Sequence, residues 1–285
     1  MQLVQNKVTV SKMSENIGAE ITGLDLTKQS DEQTQKLLLD TLHEHIVLVI
    51  RHQNFTPKQL VAAGRIFGEL TENDQADIYG VADDPLIAAI SNMHKDKSGN
   101  IPKNIPSWHT DSPHFEYPPK YTMLYPVHLP SSGGGTSFCN TRVGYQRLPP
   151  ALKSRIEKMQ TVNVLSGRAA RNPNPLSLQG QLERKHPGTL QPLVRTNPDH
   201  GSKSVYFHAR KTDYIVGMTP EETADLLDEL QGHILHSDLI YTHKWQYGDF
   251  VIWDNRSSLH KAGTDFDHSE LRLLYRMIVK GERPH

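Results

Sequence analysis

Short apolar segments separated by turn-forming residues restrict the fold of this chain more than any other feature. From position 121 onward, such segments alternate with turn clusters, of which Pro130 to Gly135 is the clearest. Short strands punctuated by Gly, Pro and Ser are typical of sandwiches and jelly rolls rather than of parallel sheets. We therefore predict a mainly β fold with flanking helices. The predicted strands are Tyr121 to Leu129, Val205 to His208, Asp249 to Trp253 and Leu271 to Val279.

Helical patterns surround one continuous apolar run in the first quarter of the chain. The run Ile46 to Ile50 predicts a strand that is buried on both faces. Ser30 to Leu42 before it has the spacing of an amphipathic helix, and Thr56 to Leu70 after it begins with a capping threonine and a proline. Two further helices are predicted, at Pro149 to Met159 and at Thr219 to His236, the second opened by a capping box.

Composition narrows the class of protein. The chain has 285 residues with 31 Lys and Arg against 32 Asp and Glu, so it has no charge excess suited to nucleic acid or an anionic membrane. The single Cys139 cannot form an internal disulfide. The first ten residues lack the pattern of a secretion signal, and the longest aliphatic run is far shorter than the roughly 20 residues of a membrane span. We predict a soluble cytoplasmic protein with one domain, residues 1–285.

The segment from Thr71 to Ser107 is less regular than its surroundings. Asn, Asp, Lys, Gly and Pro dominate it, and only Pro85 to Ser91 resembles a strand. A long irregular segment within a compact domain is often a binding loop. We therefore predict a lid or substrate arm at about residues 71–107.

A histidine followed two positions later by aspartate occurs three times, at His94, His109 and His236. With 16 histidines in the chain, the tripeptide alone carries little weight. If His109 and Asp111 lie in a strand, both side chains point to the same side and can reach one ion. His94 stands in a charged turn and His236 at the end of a helical pattern. His109 and Asp111 are therefore the preferred pair.

A third ligand is preferred at His260, which follows a predicted strand and turn. Two imidazoles and one carboxylate form the ligand set that ferrous oxygenases use on one face of the metal. Shortly after it, Arg272 and Arg276 share one strand face, and buried arginines usually bind an anion or a carboxylate. The histidines that compete with His260 as third ligand are His128, His186, His200, His208 and His243.

The chain resembles the taurine and phenoxyacetate-herbicide dioxygenases, the TauD/TfdA family, which require Fe(II) and 2-oxoglutarate. The likeness extends from Ile17 to Val279. The motifs that carry it, in order, are Trp108-His109-Thr110-Asp111, Pro130-Ser131-Ser132-Gly133-Gly134-Gly135-Thr136, Trp253-Asp254-Asn255-Arg256 with His260, and Arg272 with Arg276.

This resemblance implies a double-stranded β-helix, a jelly roll flanked by helices, in which His109, Asp111 and His260 hold iron. It also implies that 2-oxoglutarate chelates the iron while Thr136 and Arg272 hold its distal carboxylate. Dioxygen is the second cosubstrate, and the usual outcome is hydroxylation. Because halogenating relatives lack the carboxylate ligand, Asp111 argues against halogenation, while desaturation and ring formation remain open.

The substrate is less constrained, because the chain departs from its relatives where they bind it. Asn73 stands where taurine enzymes have a sulfonate-binding histidine, and Gly135 replaces a common acid. We expect a small anionic organic substrate under the arm, with Arg276 as its anion contact. The resemblance places Arg276 near either 2-oxoglutarate or an anionic substrate group. Asn73 and His208 are further candidate substrate residues.

Several alternatives remain at this level. A zinc hydrolase with the same three ligands, or a non-catalytic jelly-roll binding module, would need no role for Thr136 and Arg272. Asp254, Asn255 and Arg256 are predicted to orient His260, and Trp245 and Trp253 are predicted to be core aromatics. Relatives are commonly dimers or tetramers, so a homodimer or homotetramer is expected.

Overall fold

The computed structural model describes residues 8–72, 84–93, 106–165, 167, 169 and 188–285. Its strands are β1 (Thr9–Lys12), β2 (Ala19–Thr22), β3 (Val47–Ile50), β4 (Leu70–Thr71), β5 (Ala88–Ser91), β6 (Tyr121–His128), β7 (Thr136–Asn140), β8 (Gln160–Asn163), β9 (Thr189–Pro192), β10 (Val194–Thr196), β11 (Lys203–Val205), β12 (Thr212–Ile215), β13 (Ile240–His243), β14 (Phe250–Asp254), β15 (Ser258–Ala262) and β16 (Leu273–Val279). Its helices are α1 (Glu32–His45), α2 (Pro57–Gly64), α3 (Thr141–Arg147), α4 (Pro150–Ile156) and α5 (Pro220–Ile234), with 3-10 turns at Arg65–Phe67 and Ser237–Leu239.

Two sheets face each other at the centre of the molecule. The larger has the order β1-β2-β3-β14-β6-β16-β4 with β5 also on β16, and the smaller has the order β13-β7-β15. Phe138 of the smaller sheet packs on Trp253 of the larger, with ring centroids 5.2 Å apart. Val47, Val49 and Val251 belong to the same buried cluster. The predicted jelly roll, mainly β with helices outside it, is confirmed.

Helices cover the outer face of each sheet. Leu38 and Leu42 of α1, with Leu60 of α2, pack on the outward side chains of β3 and β14. Because Val47 and Val49 face inward while Leu48 and Ile50 face the helices, all four side chains of β3 are buried. The outer face of the smaller sheet is covered by α4 and α5. No helix in the described ranges is long and apolar enough to cross a membrane.

Helix ends follow local chemistry. The predicted helix at Ser30 begins at Glu32, because the Asp31 side chain accepts the N–H of Thr34 as its cap. Thr219 forms the predicted capping box, and Thr56, predicted only as a capping residue, forms one as well. The second helix ends earlier than predicted, at Gly64, and continues only as a 3-10 turn to Phe67.

Three predicted strand segments differ from the structure. Ile46 is not in β3 but ends α1, with φ +68 and its N–H bonded to the Leu42 carbonyl. The segment predicted at Val205 to His208 leaves regular pairing after Val205. His109 forms only isolated bridges and Asp111 lies in a bend, followed by Ser112 at φ +45.

Candidate active site

Three histidines lie in a row across the strands. The backbone N–H of His109 donates to the His260 carbonyl at 3.1 Å, and the reverse bond is 2.8 Å. Residues paired in this way project their side chains from the same face, and the two ring centroids are 4.1 Å apart. On its other side His109 forms a bridge with His208, whose ring centroid lies 4.8 Å away. The sequence had suggested that His260 lies at a strand end, but it lies in the middle of β15.

Asp111 completes a cluster with two of these histidines. Its Oδ1 lies 3.8 Å from Nε2 of His260. One donor atom from each of His109, Asp111 and His260 lies within 4.8 Å of the other two. Ligand atoms about 2 Å from a common ion have separations of this order. The prediction that His109 and Asp111 share a strand was wrong, yet the bend brings their donor atoms together.

A hydrogen bond fixes the tautomer of His109, and burial fixes the charge of the His109 and His260 imidazoles. Nδ1 of His109 lies 2.7 Å from the carbonyl oxygen of Ser107. Because a carbonyl only accepts, Nδ1 carries the proton and Nε2 keeps its lone pair. Burial lowers the pKa of His109 and lowers that of His260 to about 3. Both rings are therefore neutral at neutral pH, the state that a metal ligand needs.

Asp111 is ionised despite its burial. Burial raises the pKa of the carboxyl group, but the Arg276 guanidinium and the imidazoles of His260 and His109 outweigh it, so the pKa lies well below its usual range. Nη2 of Arg276 is 3.2 Å from Oδ1. The hydroxyl of Thr122 donates to Oδ2 at 2.5 Å. A carboxylate with two neutral imidazoles is a hard, anionic donor set suited to a divalent ion.

A closed polar loop supports Asp111 from behind. The side-chain amide of Asn255 donates to the Thr122 hydroxyl at 2.8 Å, and the Thr110 hydroxyl donates to the Asn255 carbonyl at 2.8 Å. The sequence had suggested that Asn255 orients His260. In the structure, Asn255 instead orients Asp111 through Thr122. Asp254 and Arg256 instead form an ion pair at 2.9 Å.

A second polar cluster lies at the start of β7. Nε of Arg272 donates to the Gly134 carbonyl at 2.7 Å, and Nη2 approaches the Thr136 hydroxyl at 3.4 Å. The indole N–H of Trp245 donates to the same hydroxyl oxygen at 3.1 Å. Burial lowers the pKa of Arg272 to about 10, with Asp265 acting in the opposite direction. Arg272 is therefore a buried cation at neutral pH, a suitable partner for an anion.

The glycine run before Thr136 has no room for side chains. Gly134 has φ +66, and a Cβ there would lie 3.1 Å from Cδ of Arg272. A Cβ on Gly135 would lie 2.7 Å from the His243 carbonyl oxygen. Gly135 stands where the relatives commonly have an acid, and this fits the structure, because the backbone at position 135 packs directly against neighbouring residues.

A cationic side chain that sequence reasoning missed lies beside the histidine row. Nζ of Lys211 is 3.3 Å from Nδ1 of His114. Burial is the largest cause that lowers the pKa of His109 and His208, and the positive charge of Lys211 lowers both further. The backbone N–H groups of Arg210 and Lys211 approach Nδ1 of His208 at 3.1 and 3.2 Å. Nδ1 of His208 is thus an acceptor, and its Nε2 carries the proton.

Three of the other candidate ligands are bonded to residues outside the cluster, whereas His208 lies beside His109 in the histidine row. His243 bonds Asp249 at 2.9 Å, His128 bonds the Leu271 carbonyl at 2.9 Å, and His200 bonds Ser202 at 2.9 Å. The remaining candidate ligands, His94 and His186, and the candidate substrate residue Asn73 lie outside the described residues.

Trp253 is a core aromatic as predicted, only 1% exposed, whereas Trp245 is partly buried and contacts Thr136. Thr122 and Trp245 had no sequence signal, since neither belongs to a motif. Lys211 could have been suspected from its place three residues after His208.

The family profile described as "Taurine catabolism dioxygenase TauD, TfdA family" matches residues 9–278. An (S)-phenoxypropionate/alpha-ketoglutarate-dioxygenase of Sphingobium herbicidovorans is 30% identical over 96% of this chain and 95% of its own length. An alkylsulfatase of Acinetobacter baylyi is 28% identical, covering 97% and 86%. The crystal structure of a taurine dioxygenase from Burkholderia xenovorans superposes with a TM-score of 0.78 at 28% identity, covering 97% and 90%.

The chain belongs to the TauD/TfdA family, as its sequence motifs had indicated. It is an alpha-ketoglutarate-dependent dioxygenase, an oxidoreductase that uses Fe(II), 2-oxoglutarate and O2. Membership in a family of oxidoreductases decides against a zinc hydrolase and against a non-catalytic binding module.

Proposed function

We propose that His109, Asp111 and His260 hold Fe(II), and that the enzyme hydroxylates a C–H bond of a small anionic organic substrate. The observation that carries this proposal is the cluster of three donor atoms within 4.8 Å of one another. Its protonation supports the same role: two neutral imidazoles and one carboxylate need no proton loss before they bind a metal.

The residues present fit this ion. Nε2 of His109 has an open lone pair, and Nδ1 of the buried His260 has no hydrogen-bond partner among the described residues. When bound, Fe(II) with 2-oxoglutarate and O2 supplies the oxidation that converts C–H to C–OH and releases succinate and CO2. The chain supplies ligand geometry and a buried, ordered surround.

Thr136 and Arg272 are proposed to hold the distal carboxylate of 2-oxoglutarate. Arg272 is 6% exposed, and in the described part of the chain its side-chain hydrogen bonds go only to Gly134 and Thr136. A guanidinium matches a carboxylate in shape and charge, and a buried one gains most from such a partner. With its distal carboxylate held by Thr136 and Arg272, 2-oxoglutarate would have its keto-acid end available to bind the metal.

The substrate anion is proposed to bind at the Lys211 side of the histidine row. Lys211 contributes a positive charge, and the Nε2–H of His208 contributes a donor. Arg276 was the first expectation for this contact, but its guanidinium already contacts Asp111. Arg276 remains a candidate for the substrate or 2-oxoglutarate. The relatives named above act on a phenoxy acid, on alkyl sulfates and on taurine, each of which carries an anionic group, which supports a substrate with an anionic group.

The experiment that tests the function is a succinate-release screen with Fe(II), 2-oxoglutarate and O2. The panel contains carboxylates, sulfonates, sulfate esters and phosphonates, with O2 uptake measured in parallel. We expect one anionic class to couple succinate release to O2 uptake, and product mass distinguishes hydroxylation from desaturation or ring formation. Activity on uncharged analogues alone would refute the anionic assignment.

Two charge-removing variants separate the anion contacts. With any substrate found in the screen, Lys211→Met should raise the Michaelis constant for the substrate and leave that for the cosubstrate unchanged, while Lys203→Met on the surface changes neither. Loss of a charge-assisted hydrogen bond costs about 1.5–3 kcal/mol, or roughly ten to a hundredfold in this constant. If Arg276→Ala alone has this selective effect, Arg276 rather than Lys211 is the anion contact.

The remaining expectations stay predictions. These are the single domain spanning 1–285, the substrate arm at 71–107, the cytoplasmic location and the homodimer or homotetramer. Much of the arm, residues 73–83 and 94–105, lies outside the described ranges.

A further inference from the structure

The Thr136 hydroxyl has its acceptor capacity filled by two donors. The indole N–H of Trp245 lies 3.1 Å from Oγ1, and Nη2 of Arg272 lies 3.4 Å from it. Indole and guanidinium N–H groups can only donate. A hydroxyl oxygen has two lone pairs and one proton, so both lone pairs are engaged and the proton must point elsewhere. Thr136 is 3% exposed, so this orientation is set inside the protein.

Trp245 is itself held by a buried polar frame. The His243 ring meets the Trp245 ring edge-on, with centroids 4.6 Å apart. His243 is bonded to Asp249 at 2.9 Å, and that carboxylate also receives two bonds of 2.9 Å from Arg51. The same carboxylate accepts the N–H of Gln246 at 2.8 Å, which fixes the backbone directly after Trp245. These bonds fix the loop that presents the indole N–H of Trp245 to the Thr136 hydroxyl.

We propose that Trp245 is a positioning residue for the cosubstrate, because its indole N–H holds the Thr136 hydroxyl as a donor toward the distal carboxylate of 2-oxoglutarate. This inference rests on the roles of Thr136 and Arg272 in the proposed function. Without the indole donor, the hydroxyl rotates among its staggered positions and must be oriented again each time the ligand binds. The effect is confined to the distal carboxylate, since Trp245 contacts none of the three proposed metal ligands through a hydrogen bond in the described residues.

The test compares two ligands of the anaerobic Fe(II) enzyme, both followed by the weak visible charge-transfer band. 2-Oxoglutarate has the distal carboxylate, and 2-oxobutanoate has the same keto-acid end without it. In Trp245→Phe, the Kd for 2-oxoglutarate should rise about two- to tenfold, the usual range for one neutral hydrogen bond, and that for 2-oxobutanoate should stay unchanged. Lys244→Met, at an exposed position directly before Trp245, is the control and should change neither.

A double variant checks that the effect passes through the hydroxyl. Thr136→Val should weaken 2-oxoglutarate binding, and adding Trp245→Phe should weaken it no further, because the group that the indole orients is gone. Equal weakening of both ligands by Trp245→Phe, no weakening at all, or additive losses in the double variant would overturn the inference.

A second measurement covers the case in which Trp245→Phe does not fold. Protein labelled with 15N-tryptophan and loaded with Zn(II) should give three indole N–H signals, one for each tryptophan in the chain. Thr136→Val should move one signal, and 2-oxoglutarate should move that same signal while 2-oxobutanoate does not. If Thr136→Val moves none of the three signals, the inference is overturned. If Thr136→Val and Arg272→Met both bind 2-oxoglutarate like the wild type, the proposed cosubstrate site itself fails.

Discussion

Arg272 and Arg276 are equally buried, each 6% exposed, but their charges are matched differently. Arg276 lies against the Asp111 carboxylate at 3.2 Å. Arg272 contacts a carbonyl and a hydroxyl, and its pKa is lowered by burial to about 10. The proposed metal end of the site, around Asp111, therefore balances its own charge. The proposed cosubstrate end, around Thr136, has an excess of positive charge that an anion would neutralise.

The largest effect is expected at the metal end. Asp111→Ala removes a proposed ligand and the partner of Arg276, and leaves that guanidinium buried without its carboxylate contact. We expect no succinate above the enzyme-free background and no charge-transfer band on adding Fe(II) and 2-oxoglutarate anaerobically. Asp40→Ala, on the surface of α1, is the control and should behave like the wild type. Retained activity with Fe(II) would remove Asp111 from the ligand set.

Arg272→Met should come next, with its effect confined to the cosubstrate end. Removing the guanidinium should raise the Kd for 2-oxoglutarate about ten- to a hundredfold, the range for charge-assisted hydrogen bonds. Fe(II) affinity should change little, and thermal stability should hold or increase, because an incompletely matched buried charge is lost. Titration and thermal melts measure both, with exposed Arg283→Met as control. A loss of Fe(II) affinity equal to the loss of 2-oxoglutarate affinity would contradict two separable ends.

A smaller change at the metal end tests its polar loop. Thr122→Val breaks the bond to Asp111 and the bond from Asn255 while keeping the side-chain volume. Partners of metal ligands typically contribute ten- to a hundredfold to metal affinity. We expect weaker Fe(II) binding within that range and an unchanged response to removal of the distal carboxylate from the ligand. Thr161→Val, another buried strand threonine, provides the comparison; an equal loss there would mean general destabilisation.

The smallest effect is expected behind the cosubstrate end, on the outer face of β7. Burial raises the pKa of Cys139 to about 12, and its thiol contacts the Ile234 carbonyl at 3.2 Å. Because the thiolate is the reactive form, iodoacetamide at pH 8 should leave Cys139 unmodified in the native protein and alkylate it in guanidinium chloride. Mass spectrometry gives the answer. Rapid native alkylation would show that this face opens easily.

Much of the fold was predictable because local chemistry and the final packing agree. Thr56 and Thr219 cap helices as their side chains favour, and the apolar run in β3 is buried on both faces. Ile46 was mispredicted because it closes α1 by donating its N–H to the Leu42 carbonyl, and this local contact overrides the strand preference of a β-branched residue.

The site shows the same division. That His109, Asp111 and His260 lie together could be predicted, because their residue types are those that a metal ion requires and stand in recognisable motifs. Thr122 and Trp245 were not, since a hydroxyl or an indole that supports another residue has no fixed spacing from it. Their roles appear only when strands distant in sequence are placed side by side.

The polar loop behind Asp111 also has a consequence for the order of folding. Its bonds join residues 145 positions apart, between Thr110 and Asn255, and 133 apart, between Asn255 and Thr122. Such contacts close long loops and form late when the chain collapses. The metal cluster is therefore completed only once β6 and β14 have paired. Iron should bind the folded protein rather than guide its folding. Nascent chains that lack the last third should have no site for Fe(II), and therefore no bound Fe(II) that could be oxidised.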